Sequence, residues 1–273
     1  MNIQSTLKTT GFISLNYPLS LKMGVQDAVS AFKAFCDIPK EEKQRFSKGV
    51  REVDFGYMSR IADGYGGDAD TKEIFKFMVS EMDDYRARLA GMANRKCALT
   101  FFNKAALLLD DVAELVEPIA WEIQGRYRLP DFVRQVMSWR YNWPFRFIRY
   151  PADATTAQAH IDKGMFTLHL YENYGGVEYL DFNHEWQPWV FDSGKLIMFP
   201  SALLQHRSGG EVRALCHRVS PTQNSTGDRF ALVVFLDAKY GYWFDREKPI
   251  SGFHPGFNYH IHRQAFERLF QRR

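Results

Sequence analysis

The sequence has little cysteine, and none of it is paired. Cys36, Cys97 and Cys216 are the only three, widely spaced and without a CxxC. An odd, scattered set argues against a disulfide scaffold and a zinc knuckle, and favours a reducing cytoplasm. Long hydrophobic runs are also missing. The longest is Phe230 to Leu236, far short of the roughly 20 residues of a membrane span, so no membrane association is expected. Met1 to Gly11 holds no apolar stretch ahead of a small-residue cleavage site, so nothing marks it for secretion. No block of five or more like charges occurs and the formal net charge is only +3, which argues against a nucleic-acid partner. Internal repeats and low-complexity segments are absent as well.

What is present suits a folded chain. Hydrophobic residues at 45% and charged residues at 25% exclude wholesale disorder. The 23 phenylalanines imply an aromatic-rich interior or pocket, with a Phe-rich core the plainer reading. Along the chain, Thr10 to Leu15 reads as a short strand. Val25 to Phe35 has helical spacing, and Pro39 ahead of Lys40-Glu41-Glu42-Lys43 marks a new helix start. Asp63 to Asp70 is a glycine-rich loop without the spacing of a phosphate cradle.

From Ile74 to Val136 the pattern reads as helical, with Pro118 expected to kink or divide a helix whose face runs from Ala105 to Ile119. The period then changes. Short strand-like runs recur at Phe145–Tyr150, Phe166–Tyr171, Val177–Phe182, Trp189–Phe191, Lys195–Phe199, Leu215–Val219 and Phe230–Asp237, with turn residues between them. That pattern predicts a mainly β protein built on a jelly-roll core. No linker is evident. The expectation is one domain over 1–273: a helix-rich region 1–140 packed on a jelly-roll core 141–245, closed by a helix at 263–273.

One constellation carries chemistry. In His160-Ile161-Asp162 the two outer side chains share a face if the segment is extended. His217, in a later β-like run, supplies a third donor. Two imidazoles and one carboxylate leave three positions open on an octahedral metal, an arrangement suited to Fe(II) enzymes that bind a cosubstrate and O2. The helical HExxH of many zinc sites is absent. Arg229 opens the apolar run to Leu236 and shares a face with Ala231 and Val233. Buried there, it needs an anion, either a bound organic acid or a structural Asp or Glu. His260-Ile261-His262 has no nearby carboxylate. His169 reads as core or as a neighbour of the site, His206 as solvated, and Cys216 as apolar filler.

Together, His160-x-Asp162, His217 and Arg229 resemble the iron- and 2-oxoglutarate-dependent oxygenases, specifically the isopenicillin N synthase-like branch. Phe147-Ile148-Arg149-Tyr150-Pro151 resembles the strand before the first metal ligand, and Asp162 to Leu168 the Asp-x-Gly-hydrophobic-Thr-Leu continuation with one extra residue. Gly175 to Leu180 resembles the family's glycine-led strand, and Trp186-Gln187-Pro188 with Gly194 its next hairpin. Gly11-Phe12, Ile38-Pro39, Gly56-Tyr57 and Lys72-Glu73 are similar to its helical N-terminal region.

The resemblance implies a double-stranded β-helix (jelly-roll) dioxygenase. Fe(II) would be held by His160, Asp162 and His217, with 2-oxoglutarate anchored by Arg229, and O2 as the oxidant. Hydroxylation of a small-molecule substrate is the expected outcome, desaturation or cyclisation its variants, with succinate and CO2 as co-products. Where the family commonly shows Arg-x-Ser, this chain has Ala231, one hydroxyl fewer for the cosubstrate's far carboxylate. Arg149, Phe147 and Phe166 are expected to reach the substrate or cosubstrate. The retained Asp162 disfavours halogenation. An Fe(II) oxidase of the same fold that does not use 2-oxoglutarate, and a metal-free jelly-roll binding protein, are the alternatives. A monomer or weak homo-oligomer is expected.

Overall fold

The computed structural model describes residues 3–47, 56–60, 71–152, 157, 159–190, 192, 194–220 and 227–238. Helix α1 (Ile3–Thr9) and strand β1 (Ile13–Asn16) lead into α2 (Leu19–Cys36) and α3 (Lys40–Gln44). Strands β2 (Gly56–Arg60) and β3 (Lys72–Phe77) follow. Then come α4 (Met82–Arg88), α5 (Arg95–Ala106), α6 (Leu108–Arg126) and α7 (Phe132–Ser138). The β-rich half holds β4 (Phe145–Tyr150), β5 (Phe166–Glu172), β6 (Val177–Leu180), β7 (Trp186–Pro188) and β8 (Lys195–Pro200). After α8 (Ala202–Arg207) it closes with β9 (His217–Val219) and β10 (Arg229–Leu236).

Two antiparallel sheets result, ordered β1-β8-β5-β10-β4-β3-β2 and β7-β6-β9, in a jelly-roll arrangement with helices against one face of the larger sheet. Apolar residues at helical spacing give α2 a buried stripe of Leu21, Val25, Ala28, Phe32 and Phe35. That stripe meets α5 and the sheet through an aromatic network. Phe32 and Phe101 have ring centroids 5.4 Å apart, Phe35 and Phe75 5.4 Å, and Phe101 and Phe147 4.9 Å. Much of the phenylalanine content is therefore core. None of the described helices is long and apolar enough to cross a membrane.

Three expectations change. The segment from Ile74 is not helical, because Ile74 to Phe77 lies in β3, paired with β4 as Ile74↔Ile148 and Phe75↔Phe147; a short apolar run carries no decisive period. Pro118 neither ends nor divides its helix: α6 runs through it, and the break falls at Leu107. The strand expected at Trp189–Phe191 is instead Trp186–Pro188. The helix-rich front region also gives β1, β2 and β3 to the larger sheet rather than only packing on it. Gly56 makes β2 possible: at φ +76 it brings the chain against Phe46, whose carbonyl oxygen would lie 2.0 Å from an added Cβ. The Asp63–Asp70 loop, the end of the expected core at 239–245 and the helix at 263–273 lie outside the described residues.

Candidate metal centre

The two faces of the larger sheet differ in chemistry. Leu168 and Leu170 of β5, Leu232, Val234 and Leu236 of β10, and Phe145 and Phe147 of β4 join the core under the helices. By alternation the opposite face carries Thr167 and His169, Arg229 and Ala231, and Arg146, Ile148 and Tyr150. The smaller sheet covers part of it, packing Val177, Trp189 and Leu215 on Ile197 and Phe199.

His160, Asp162 and His217 converge on this inner side, their donor atoms all within 4.8 Å of one another. The convergence is built by main chain. His160 N–H donates to His217 O and His217 N–H to His160 O, each at 2.9 Å, a reciprocal antiparallel bridge that sets the two side chains abreast. Their ring centroids are 4.3 Å apart. Asp162 Oδ1 lies 3.8 Å from His160 Nε2, and Oδ2 lies 3.9 Å from His217 Nε2.

Neighbouring groups orient these donors. Thr167 Oγ1 donates to Asp162 Oδ2 at 2.5 Å. His217 Nδ1 lies 3.3 Å from the Leu215 carbonyl; a carbonyl only accepts, so Nδ1 donates there, which orients the ring with Nε2 toward Asp162. Burial alone would raise the Asp162 carboxyl, but His217, His160, the Thr167 hydrogen bond and Arg146 hold it below the ordinary carboxylate range. A buried carboxylate kept ionised between two imidazoles is a donor set for a divalent first-row metal, whose bonds run at about 2.0–2.2 Å.

Arg229 also lies on the inner face and is buried, with its charged group already satisfied. Its Nη2 donates to Glu172 Oε2 at 2.7 Å and its Nε to Glu172 Oε1 at 3.3 Å. Its guanidinium carbon sits 5.1 Å from the Tyr150 ring centroid. Glu172 reaches this face through a β-bulge. In the β5–β10 ladder Val233 pairs with His169 but Leu232 pairs with Tyr171, so Leu170 is the extra residue and the alternation of β5 inverts beyond it. Glu172 thereby faces its ladder partner Ala231, and its Oε2 is 3.4 Å from His169 Nε2.

Other expected residues stand elsewhere. Phe147 packs on Phe32 and Phe101, on the helix side of the sheet. Phe166 belongs to that same core. Arg149 shares the Phe147 face and is held by Asp228 at 2.5 Å and Glu73 at 3.2 Å. Glu73 also accepts from Lys43 at 2.7 Å and from Tyr57 at 2.6 Å. All three therefore stand on the helix-packed face of the larger sheet, the face opposite Thr167, Arg229 and Ala231. Period-two reasoning groups Arg149 with Phe147 and Phe145, but it does not say which face is the barrel interior.

His169 is buried beside Glu172, and Cys216 is buried among Ile161, Leu180 and Ala214. Burial pushes the Cys216 thiol up to about 11, as befits filler rather than a nucleophile. Of the remaining histidines considered, the side chain of His206, and His260 and His262, lie outside the described residues. A cleft of about 390 Å3 lined by Phe12, Tyr179, Trp189 and Lys195 holds none of the metal donors.

Three residues went unread in the sequence. Thr167 bonds Asp162, Glu172 holds Arg229, and Arg146 has a buried Nε with no hydrogen-bond partner, its guanidinium carbon 5.8 Å from the Phe235 ring centroid. The Thr could have been found from its place in the Asp-to-Leu motif; the other two needed the register of the ladder.

Residues 134–238 match the family model of the 2OG-Fe(II) oxygenase superfamily. No curated protein matches the chain in sequence. Among solved structures, a Caulobacter crescentus protein assigned to the 2OG-Fe(II) oxygenase family is 24% identical, with a TM-score of 0.70 over 87% of this chain and 81% of that one. A full-length Neurospora crassa protein in complex with alpha-KG is 16% identical, with a TM-score of 0.70 over 87% and 78%. The rice dioxygenase for auxin oxidation is 20% identical, with a TM-score of 0.64 over 97% and 88%. At these identities the structural likeness speaks to the fold.

Proposed function

We propose that this protein, an enzyme whose residues 134–238 belong to the 2OG-Fe(II) oxygenase superfamily, hydroxylates a small-molecule substrate, with desaturation or cyclisation as variants of the same chemistry. The superfamily's cofactors are Fe(II) and 2-oxoglutarate, with O2 as oxidant. One observation carries the reading: the donor atoms of His160, Asp162 and His217 gather within 4.8 Å on the inner face of a jelly roll. When bound, Fe(II) with 2-oxoglutarate and O2 supplies an oxidant able to break a C–H bond, with succinate and CO2 as co-products.

The chain's own residues hold and shield that chemistry. His160 and His217 offer imidazole nitrogens from two segments locked by their shared main-chain bridge. Asp162 offers a carboxylate whose orientation Thr167 fixes. Arg229 stands as the candidate anchor for the far carboxylate of the cosubstrate, with Ala231 at the position of the missing hydroxyl. Phe199 lies against His217, ring centroids 4.9 Å apart, and covers that donor with an apolar surface. The Phe147–Pro151 and Arg229 patterns favour the isopenicillin N synthase-like branch. We read the protein as a cytoplasmic monomer or weak homo-oligomer without a nucleic-acid partner; Cys36, Cys97 and Cys216 are free thiols.

The alternative of an Fe(II) oxidase that does not use 2-oxoglutarate has one observation in its favour, the occupation of the Arg229 fork by Glu172. Anaerobic Fe(II) loading followed by O2, with succinate measured against 2-oxoglutarate concentration, separates the two. Succinate release that needs both Fe(II) and the keto acid supports our reading. O2 consumption that is indifferent to 2-oxoglutarate supports the oxidase.

A further inference from the structure

We infer that Glu172 sets the selectivity of the Arg229 anion subsite, because its carboxylate holds the guanidinium fork that an acidic cosubstrate must take over. This rests on the reading of Arg229 as the cosubstrate anchor. The Glu172 side chain is 1% exposed and that of Arg229 9% exposed, so the pair is a buried feature of the barrel. Both guanidinium contacts, 2.7 Å and 3.3 Å, go to the two oxygens of the one carboxylate, the two-pronged geometry in which arginine binds an organic acid.

A keto acid with a distal carboxylate therefore meets an anion of like charge already seated. It has to displace Glu172 from the fork or share the guanidinium with it, and both lower its affinity. The residue opposite Glu172 in the ladder is Ala231, which brings no hydroxyl to the fork. A keto acid with a short uncharged tail does not engage the fork and does not feel the competition. Glu172 thus weakens the binding of dicarboxylic keto acids, 2-oxoglutarate included, without affecting keto acids that lack a distal charge. Its position depends on the bulge at Leu170, since regular alternation would have turned Glu172 to the opposite face.

The test is a binding titration of the Fe(II)-loaded protein without O2, following the visible absorption of the iron–keto acid chelate. The probes are 2-oxoglutarate and 2-oxobutyrate. Glu172→Gln, nearly isosteric, removes the competing charge and is expected to tighten 2-oxoglutarate about tenfold, the scale of one charge-assisted hydrogen bond. Affinity for 2-oxobutyrate should stay within about twofold on the same argument. Glu172→Asp, which keeps the charge, should show no such gain, and thermal melts confirm that each variant is folded. Unchanged 2-oxoglutarate affinity in Glu172→Gln, while Arg229→Gln still weakens it, overturns this inference and leaves the anchor reading intact. Tightening that persists when Arg229→Gln is added overturns both.

Discussion

His160 and His217 exchange both main-chain hydrogen bonds at 2.9 Å, so residues from two distant stretches of sequence become side-by-side donors. The bridge is isolated, outside any longer ladder at His160. Val219 N–H also donates to Ala157 O at 3.0 Å, tying the same two stretches, and Asp162, which Thr167 clamps from β5, completes the donor set.

The clamp gives the first prediction. Thr167→Val keeps shape but removes the bond that fixes Asp162 Oδ2. Metal affinity should fall by about 10- to 100-fold, as for other partners of metal ligands. Competition of Fe(II) or Co(II) against a chelator measures it, with a melt to confirm folding.

The second prediction contrasts two arginines. Arg229→Met strands the buried Glu172 carboxylate and should cost about 3–5 kcal/mol of stability, while adding Glu172→Met should recover much of it. Arg146→Met removes a guanidinium whose Nε is buried without a hydrogen-bond partner but whose charge helps hold Asp162 ionised; the two effects oppose, and it should cost less stability than Arg229→Met. Denaturant unfolding of the metal-free protein reads both.

The third concerns acid. Burial would raise the Glu73 carboxyl, but Lys43, Tyr57 and Arg149 together hold it below the ordinary carboxylate range. A carboxyl lowered on folding adds stability that is present above its unfolded value of about 4.3 and is lost as pH falls through the folded value. Glu73→Gln should therefore flatten the acid limb of the stability profile while reducing stability at neutral pH, since Lys43 loses its anion and Arg149 keeps only Asp228.

The fourth concerns the front region. β1 pairs only with β8, and β3 pairs with β4, so residues 1–140 alone would expose the Phe35 and Phe101 faces. That fragment should show no cooperative unfolding transition. A sharp transition, or a protease-stable fragment ending before Phe145, would contradict the interleaving.

The donor triad was legible from residue type and spacing, because the chemistry demands His and Asp and little else mimics them. β4 was legible because it alternates, and β10 because it holds the longest apolar run in the chain, bounded by turn residues. Faces were harder. Alternation correctly grouped Arg149 with Phe147, yet only the helices packed on Phe147 reveal that this face looks away from the site. Glu172 was beyond reach, since a single extra residue, Leu170, inverts the parity of its strand. β3 was missed because Lys72–Phe77 is too short to carry a period against a neighbouring helical pattern.

The most direct test is succinate release on adding O2 to protein loaded with Fe(II) and 2-oxoglutarate, beside Asp162→Ala treated identically. Iron- and keto-acid-dependent succinate from the native chain, with none above background from a folded Asp162→Ala, is the predicted result. Equal succinate from the two proteins, or none from a native chain shown to bind Fe(II), would contradict it.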